Sequence, residues 1–255
     1  MRAIHTLALA VSLVCAASSA QARDWATIKQ SGTIIAASEG AYPPFNYFHG
    51  AKLTGYEIDV MEAVAKKLGL QVEWRALAFD ALIASIRQDR FDVAIASHGI
   101  TEERQKSVDF TNPHYCSGGQ IVAKAGGPLK ASELTGKLLG VQLATTYADA
   151  ARKVSGAKEV KTYPKDTDAL QALLGGRVDA WITDRFVAKS ALAKNASDGL
   201  KAGDMVFVER DAMILRKGNQ ELREQLNKGL AEIKADGTLK AISEKYFQED
   251  ISCSN

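Results

Sequence analysis

Short apolar runs alternate with amphipathic stretches along most of this chain, and this alternation constrains the fold more than any other feature. Strand-like runs lie at 33–37, 70–74, 91–96, 138–142, 160–163 and 178–182, and stretches with helical spacing lie at 56–68, 79–88, 145–153, 167–174, 219–234 and 238–247. Strands that alternate with helices are typical of βαβ units with parallel strands. The pattern therefore predicts an α/β protein built on mainly parallel sheet.

One helix–strand unit occurs twice. Residues 82–95 align without a gap with residues 169–182, and each copy has an Arg-x-Asp triplet before its strand. The first strand leads to Ser97 and the second to Thr183 and Asp184. Any αβ unit shares part of this pattern, but two similar lobes also explain it. Because open parallel sheets bind ligands at the carboxyl ends of their strands, two facing lobes would bind a ligand between them.

The chain is expected to cross between the two lobes twice. Residues 113–119 are rich in turn-forming residues and lead into a strand at 120–123, and the return is predicted near 209–212. The predicted division is residues 23–117 plus 212–255 for the first lobe and residues 118–211 for the second. A hinge of two strands favours opening and closing of a clamp over free motion of two domains.

The first 22 residues have the pattern of a secretory signal peptide. Arg2 supplies a positive charge, residues 7–17 are mostly apolar, and residues 20–22 have the small-x-small form of a cleavage site. The apolar run is shorter than the ~20 residues that a membrane-spanning helix needs. Cys15 follows a bulky residue, whereas a lipidated cysteine normally follows a small one. We therefore expect export and cleavage after Ala22.

Composition and motifs argue against several classes of function. The chain has 32 Lys and Arg against 30 Asp and Glu, so its net charge of +2 gives no broad basic field, and nucleic acid is not an expected partner. The GxSxG, P-loop, GxGxxG and HExxH motifs are all missing from the sequence. His49, His98 and His114 show no metal-ligand spacing, and we expect neither a metal nor another cofactor.

Two cysteines remain after the predicted cleavage, Cys116 and Cys253. Disulfides persist in an oxidising compartment, and a bond between these residues would tie the middle of the chain to its C-terminal end. Two small buried thiols are an equal alternative, because a sequence does not supply the Cα separation that a disulfide requires. Both alternatives stay open at this point.

Several residues at predicted strand ends suit a zwitterion. Thr101 is placed to cap a helix whose first turn carries Arg104, and a guanidinium offers a fork for a carboxylate, although a helix arginine more often pairs with a local Glu. Thr145 and Thr146 open a helix in the second lobe, where free N–H groups favour an anion. Asp184 is suited to accept from an ammonium group or to cap the helix that follows it.

Five segments along the chain carry a wider pattern: 39–45, 55–60, 79–82, 100–104 with 108–110, and 236–238 with 245–247. Together and in this order they resemble the periplasmic solute-binding proteins of family 3, which bind polar amino acids for ABC transporters. The resemblance covers essentially the whole mature chain. It implies a type II periplasmic-binding-protein fold, in which each lobe is a mainly parallel sheet flanked by helices and two strands form the hinge. It also implies a periplasmic monomer that is not an enzyme, with an amino acid ligand and an inner-membrane ABC permease as partners.

The resemblance assigns roles to residues that would hold the ligand backbone. Arg104 matches the arginine that binds the α-carboxylate, and Thr145 and Thr146 match residues that add hydrogen bonds to it from the second lobe. Asp184 matches the carboxylate that receives the α-ammonium, with help from Ser97. These roles are what family membership would predict for this sequence.

Other matched positions would contact the ligand side chain. Tyr42 and Phe79 match the two walls that enclose it, and Tyr147 is expected to shape the pocket floor. Glu39 falls where binders of basic amino acids carry an acidic group. Since a buried acid needs an opposite charge or a donor, the expected ligand is a cationic L-amino acid (arginine, lysine, ornithine or histidine). Glutamine is an alternative, because a carboxylate also accepts from an amide.

Gly99 departs from the family pattern, in which a Ser or Thr hydroxyl helps to bind the ligand backbone. Loss of such a hydrogen bond costs about 0.5–1.5 kcal/mol unless a water or His98 replaces it. The sequence therefore leaves open a remodelled anchor and a larger, opine-like ligand. An enzyme of the cyclohexadienyl dehydratase type is a further alternative. It needs an acid in the helix after Asp184, at the position where Val187 stands.

Overall fold

The computed structural model describes residues 23–253, so the predicted signal peptide at 1–22 lies outside the described residues. The strands are β1 (Thr33–Ser38), β2 (Ala41–Tyr42), β3 (Asn46–His49), β4 (Lys52–Thr54), β5 (Gln71–Ala76), β6 (Val93–Gly99), β7 (Val108–Phe110), β8 (Tyr115–Lys124), β9 (Leu138–Gln142), β10 (Glu159–Tyr163), β11 (Ala180–Asp184) and β12 (Leu200–Arg216). The α-helices are α1 (Trp25–Ser31), α2 (Tyr56–Lys67), α3 (Phe79–Arg87), α4 (Glu102–Gln105), α5 (Thr146–Arg152), α6 (Asp166–Leu174), α7 (Arg185–Lys194), α8 (Gln220–Ala235) and α9 (Thr238–Phe247). Short 3₁₀ helices cover Ala131–Glu133 and Ala196–Asp198.

A nine-stranded mixed sheet runs in the order β10-β9-β11-β8-β12-β6-β1-β5, with β7 also pairing with β12, and β2, β3 and β4 form a second, three-stranded sheet. Strands β5, β1 and β6 are parallel to one another and form the sheet of the first lobe. Strands β10, β9 and β11 are likewise parallel and form the sheet of the second lobe. Each lobe is therefore a parallel α/β unit, as the alternation of apolar runs predicts.

Strands β8 and β12 lie between the two lobes and run antiparallel to each other. The 17-residue β12 pairs with β8 over Leu200–Asp211 and with β6 and β7 beyond that point. Both predicted lobe boundaries, after residue 117 and before residue 212, fall inside these strands. The turn expected at 113–119 is wrong, because β8 has already begun at Tyr115. Gly118 allows close strand pairing there, since a Cβ on it would lie 2.1 Å from the Phe207 carbonyl oxygen.

The two copies of the repeated unit form α3 with β6 and α6 with β11. In the first copy, the Asp92 carboxylate accepts from the Ile35 amide at 2.7 Å. In the second copy, the Asp179 carboxylate accepts from the Leu138 amide at the same distance. The aspartate of each Arg-x-Asp triplet therefore fixes the start of its own strand against the neighbouring one. This shared role supports the two-lobe interpretation of the repeat.

The C-terminal helices pack back on the first lobe. Helix α2 contacts both α8 and α9, and the buried face of α8 carries the apolar residues whose spacing predicted it. Cys116 and Cys253 are joined by a disulfide with a Cα separation of 4.8 Å, and the Cys116 amide donates to the Ile251 carbonyl. The disulfide alternative is therefore the one that the structure adopts. Within 23–253, no helix combines the length and apolar character needed to cross a bilayer.

Candidate ligand-binding site

A narrow cavity lies where the carboxyl ends of the strands of the two lobes face each other. Eight of the residues proposed from sequence line it together with Ala96 and Gln142: Glu39, Tyr42, Phe79, Ser97, Arg104, Thr145, Thr146 and Tyr147. The other three, His98, Gly99 and Asp184, lie nearby but do not line the cavity that the described residues form. Most of this lining therefore comes from positions that the sequence proposed for the ligand, and Gln142, which ends β9, was not among them.

Direct contacts join the two lobes at the cavity. The Gln142 amide donates to Glu39 Oε1 at 2.7 Å, and Arg104 Nη2 donates to the Ala144 carbonyl at 3.0 Å. The Tyr42 hydroxyl lies 3.5 Å from Thr183 Oγ1. Since each pair joins one lobe to the other, the structure is a closed arrangement of the clamp.

Arg104 is held by the local fold of α4. The Thr101 side chain caps this helix and accepts from the Arg104 amide at 3.2 Å, as expected. The guanidinium donates to the Gly99 carbonyl at 2.9 Å and lies 5.7 Å from the centre of the Phe79 ring. Burial lowers the pKa of Arg104 from its ordinary value, and the nearby carboxyls of Glu209 and Asp211 oppose this shift. The guanidinium is thus fixed by backbone carbonyls and not by a local Glu.

Ser97 is positioned by a buried network around Glu57. Ser97 has a φ of +52°, and its amide donates to Glu57 Oε1 at 2.7 Å. The same carboxylate accepts from Asn46 Nδ2 at 2.7 Å and lies 3.0 Å from His114 Nε2. Glu57 is fully buried. A single carboxylate therefore holds the end of β6 in the conformation that brings Ser97 to the cavity.

Asp184 ends β11 and caps α7. Its Oδ1 accepts from the amides of Phe186 at 2.6 Å and Val187 at 3.3 Å, so the capping interpretation holds. Its Oδ2 has no hydrogen-bond partner among residues 23–253. Burial raises the pKa of Asp184 to about 7, because the charged form loses its solvation. The cap consequently leaves one carboxylate oxygen available to a cationic group.

Thr145 and Thr146 have different partners. Thr145 caps α5 by accepting from the Ala148 amide at 3.1 Å, and its hydroxyl donates to the Gln142 carbonyl at 2.7 Å. The Thr146 hydroxyl donates to Glu209 Oε2 at 2.7 Å. Thr145 is therefore occupied in shaping the turn, whereas Thr146 presents its hydroxyl towards a carboxylate.

The side-chain end of the cavity has aromatic walls and one acid. Tyr42 stacks on Phe45 at 5.8 Å between ring centres, and Phe79 stacks on His98 at 4.7 Å. His98 is fully buried behind Phe79, and burial lowers its pKa well below the ordinary value, so the ring is neutral. Burial also raises the pKa of Glu39 to about 8, despite the hydrogen bond from Gln142. The acid at this end would gain from a cationic partner.

Glu209 is a residue of the site region that sequence reasoning missed. It lies on β12, and a Cβ built on Gly99 would fall 2.2 Å from its Oε2. A glycine at residue 99, where relatives carry Ser or Thr, leaves a space that another side chain can fill. That departure was the sequence signal for Glu209. No group of His, Cys, Asp and Glu side chains suited to a metal occurs in the described part of the chain.

Comparison with known proteins identifies the family. The profile of the family described as "Bacterial extracellular solute-binding proteins, family 3" matches residues 34–249. The chain belongs to this family. This solute-binding protein accordingly has the two-lobed periplasmic-binding-protein fold, and its relatives are amino-acid-binding proteins of transporters.

Its relatives differ in the amino acid that they bind. The L-cystine-binding protein TcyJ of Escherichia coli (strain K12) is 37% identical over 230 residues, which cover 88% of this chain and 86% of that protein. The L-arginine-binding protein of Pseudomonas aeruginosa is 33% identical over 230 residues, which cover 85% and 88%. A solved structure of an ancestral arginine-binding protein bound to arginine has a TM-score of 0.81 at 40% identity and covers 85% of this chain and 98% of that one.

Proposed function

We propose that this solute-binding protein closes around an L-amino acid with a distal cationic group and delivers it to an ABC permease. The observation that carries the choice of ligand is Glu39. Its carboxyl lines the cavity, and burial raises its pKa to about 8. A cation beside this carboxyl would stabilise the ionised form and recover the free energy that burial costs.

The ligand backbone would bind at the Arg104 end of the cavity. The guanidinium is a fork-shaped donor for a carboxylate. Thr145 and Thr146 line the cavity from the second lobe, where their hydroxyls already donate to the Gln142 carbonyl and to Glu209. Asp184 would accept from the α-ammonium through its free oxygen, with Ser97 adding a contact from the first lobe. Arg104, Ser97, Thr145 and Thr146 line one cavity with residues of both lobes, which supports a clamp, and Asp184 lies outside that lining.

The ligand side chain would lie between Tyr42 and Phe79. Tyr147 would close the floor, and the neutral ring of His98 would support Phe79 from behind. Arginine is the first candidate because a guanidinium both stacks on aromatic rings and pairs with a carboxylate. Lysine, ornithine and histidine supply the same charge with less stacking area.

L-cystine is the second candidate. The relative TcyJ is an L-cystine-binding protein and is 37% identical to this chain. The second ammonium group of cystine would place a cation opposite Glu39, just as a guanidinium would. The dehydratase alternative is disfavoured, because the position that would need an acid carries the buried, apolar Val187.

The proposal also covers export, processing and lobe boundaries. We expect cleavage after Ala22, a mature periplasmic monomer, and lobes divided at residues 117/118 and 211/212. Edman or mass-spectrometric analysis of the secreted chain tests the cleavage, and an N-terminus other than Arg23 would contradict it.

A thermal-shift screen tests the ligand. The protein is unfolded and refolded to remove bound ligand, and then heated with each amino acid, because a ligand of the folded state raises the melting temperature by mass action. We expect a rise with L-arginine or L-cystine and none with L-glutamate. Rises confined to neutral or acidic amino acids would contradict the proposal.

A further inference from the structure

The space beside Gly99 is filled by Glu209. A Cβ on Gly99 would lie 2.2 Å from Glu209 Oε2, which is far inside van der Waals contact, and 3.3 Å from Thr146 Cγ2. A seryl or threonyl side chain therefore does not fit at residue 99 while Glu209 keeps this position. The Glu209 carboxylate instead occupies the space that the Cβ of such a side chain would need.

One hydrogen bond of ordinary length holds Glu209. Its Oε2 accepts from the Thr146 hydroxyl at 2.7 Å, which fixes the carboxylate beside the cleft. Its Oε1 is buried and makes no hydrogen bond of ordinary length among the residues that the structure describes, while the Tyr147 hydroxyl lies near enough to lower the pKa of this carboxyl. A buried carboxylate oxygen that is only weakly satisfied is costly, so a further donor would stabilise it.

The charges around Glu209 point to a cationic group as the missing partner. Asp184 and Asp211 are both fully buried, and Glu209 is the first charged neighbour that raises the pKa of each after burial itself. The Arg104 guanidinium lies close enough to Glu209 and Asp211 to lower the pKa of each, against the effect of burial. Asp184 also has one oxygen without a partner among residues 23–253. Both carboxylate oxygens of Asp211 also lack a partner among the described residues, so this acidic cluster has four oxygens without an ordinary hydrogen bond: one each on Asp184 and Glu209 and two on Asp211.

We propose that Glu209 is a ligand-binding residue that replaces the hydroxyl absent at Gly99 and, together with Asp184, accepts from the α-ammonium of the amino acid. This inference rests on the proposed function, since it concerns the same cleft. An ammonium group has three N–H donors, and Asp184, Ser97 and Glu209 supply three acceptors. The site would consequently select amino acids with a free, protonated α-amino group and reject N-acylated ones.

Substitutions at residues 99 and 209 test the proposal. Calorimetry measures the affinity of each variant for L-arginine and L-cystine. E209Q keeps an acceptor for Thr146 but removes the charge, and we expect affinity to fall by about 10- to 100-fold, as for the loss of a hydrogen bond to a charged group. G99S alone collides with Glu209 and should weaken binding similarly. The double variant G99S/E209A restores a hydroxyl and removes the collision, and it should bind within about threefold of the wild type.

A second measurement separates a binding role from a structural one. In the ligand-free protein at neutral pH, a carboxyl with a raised pKa lowers stability, so E209Q should raise the melting temperature while it weakens binding. A structural residue would lose stability instead. E159Q, which changes an exposed glutamate of β10, is the matched control and should alter neither quantity.

The outcomes are distinguishable from those of the proposed function. Unchanged affinity of E209Q, or a double variant that is weaker than both single ones, overturns the role of Glu209 even if the wild type binds L-arginine tightly. If the wild type binds neither probe, the proposed ligand class is wrong. The stability measurement then decides on Glu209, since a melting temperature of E209Q below that of the wild type overturns its role and a higher one supports it.

Discussion

Glu39 and Gln142 meet across the cleft, with the Gln142 amide 2.7 Å from Glu39 Oε1. The two side chains belong to different lobes, and Gln142 also donates to the Pro164 carbonyl at 3.2 Å. An amide is a neutral donor, so it only partly offsets the cost of burying an acid, and burial still raises the pKa of Glu39 to about 8. A ligand cation would be a better partner for Glu39 than Gln142 is.

The first prediction concerns the pH dependence of ligand choice. In the free protein at pH 7, Glu39 mostly holds a proton, and a bound cation would lower its pKa and release that proton. Affinity for L-arginine relative to its neutral analogue L-citrulline should therefore rise with pH, by up to roughly tenfold per unit, and level off above pH 8. Titration calorimetry between pH 6 and about 9 measures the ratio.

The ratio of the two ligands cancels the contribution of Asp184, whose pKa is raised to about 7 but which would contact both ligands alike. E39Q should lower the ratio and make it independent of pH. E62Q, at an exposed position of α2, should leave it unchanged. A wild-type ratio that does not vary with pH would show that Glu39 does not contact the distal group.

The second prediction concerns Arg104. Its removal would leave the α-carboxylate without its fork of donors, so R104A should weaken every amino acid by at least about 100-fold. R104K keeps the charge but loses the planar fork, and an intermediate loss is expected. R152A, which alters an exposed arginine paired with Asp149 in α5, serves as the control in the same calorimetric assay. Equal affinities of R104A and wild type would exclude Arg104 from the site.

The third prediction concerns the buried carboxylate of Glu57. E57A removes the acceptor of the Ser97 amide and of Asn46 Nδ2, both in the interior. Buried donors left without a partner should lower the free energy of unfolding by about 3–5 kcal/mol, and ligand affinity should fall because Ser97 is no longer held. Urea denaturation measures the first effect. A loss below about 1 kcal/mol would mean that other groups satisfy these donors.

The fourth prediction concerns the disulfide, which closes a loop with a sequence separation of 137 residues. The double variant C116S/C253S should lower the free energy of unfolding by about 2–4 kcal/mol, since the unfolded chain regains conformational freedom. Affinity should stay within about threefold, because neither cysteine lines the ligand cavity of the described residues. Reduction of the wild type should reproduce the change, and a variant as stable as the oxidised protein would refute the prediction.

Local periodicity was sufficient to predict most of the fold. The spacing of apolar residues located β9 at its observed bounds, Leu138–Gln142, and α9 at Thr238–Phe247. The long strand β12 was not found, because half of it is exposed and its apolar residues follow no regular alternation. Gly118, which resembles a turn residue in sequence, serves close strand pairing instead. Such errors arise where tertiary contacts decide the conformation.

The sequence located cavity-lining residues most readily where a residue closely follows a strand. Arg104 and Thr146 line the cavity because their elements begin at the carboxyl ends of β6 and β9. The prediction included His98 because the adjacent residues Ser97 and Gly99 were assigned to the site. Adjacent side chains on a strand point to opposite faces, however, and the His98 ring packs behind Phe79. Glu209 comes from a distant strand, so no local pattern pointed to it.

The continuous strand β12 limits how this protein can be divided. The C-terminal part of β12 pairs with β6 of the first lobe, and its N-terminal part pairs with β8. A cut of the chain between the lobes would therefore leave both fragments with an unpaired strand edge. The two lobes are therefore not interchangeable modules. Recombination that exchanged one lobe between relatives would have to preserve the pairing register of both β8 and β12. Exchange of both lobes together would leave that register intact.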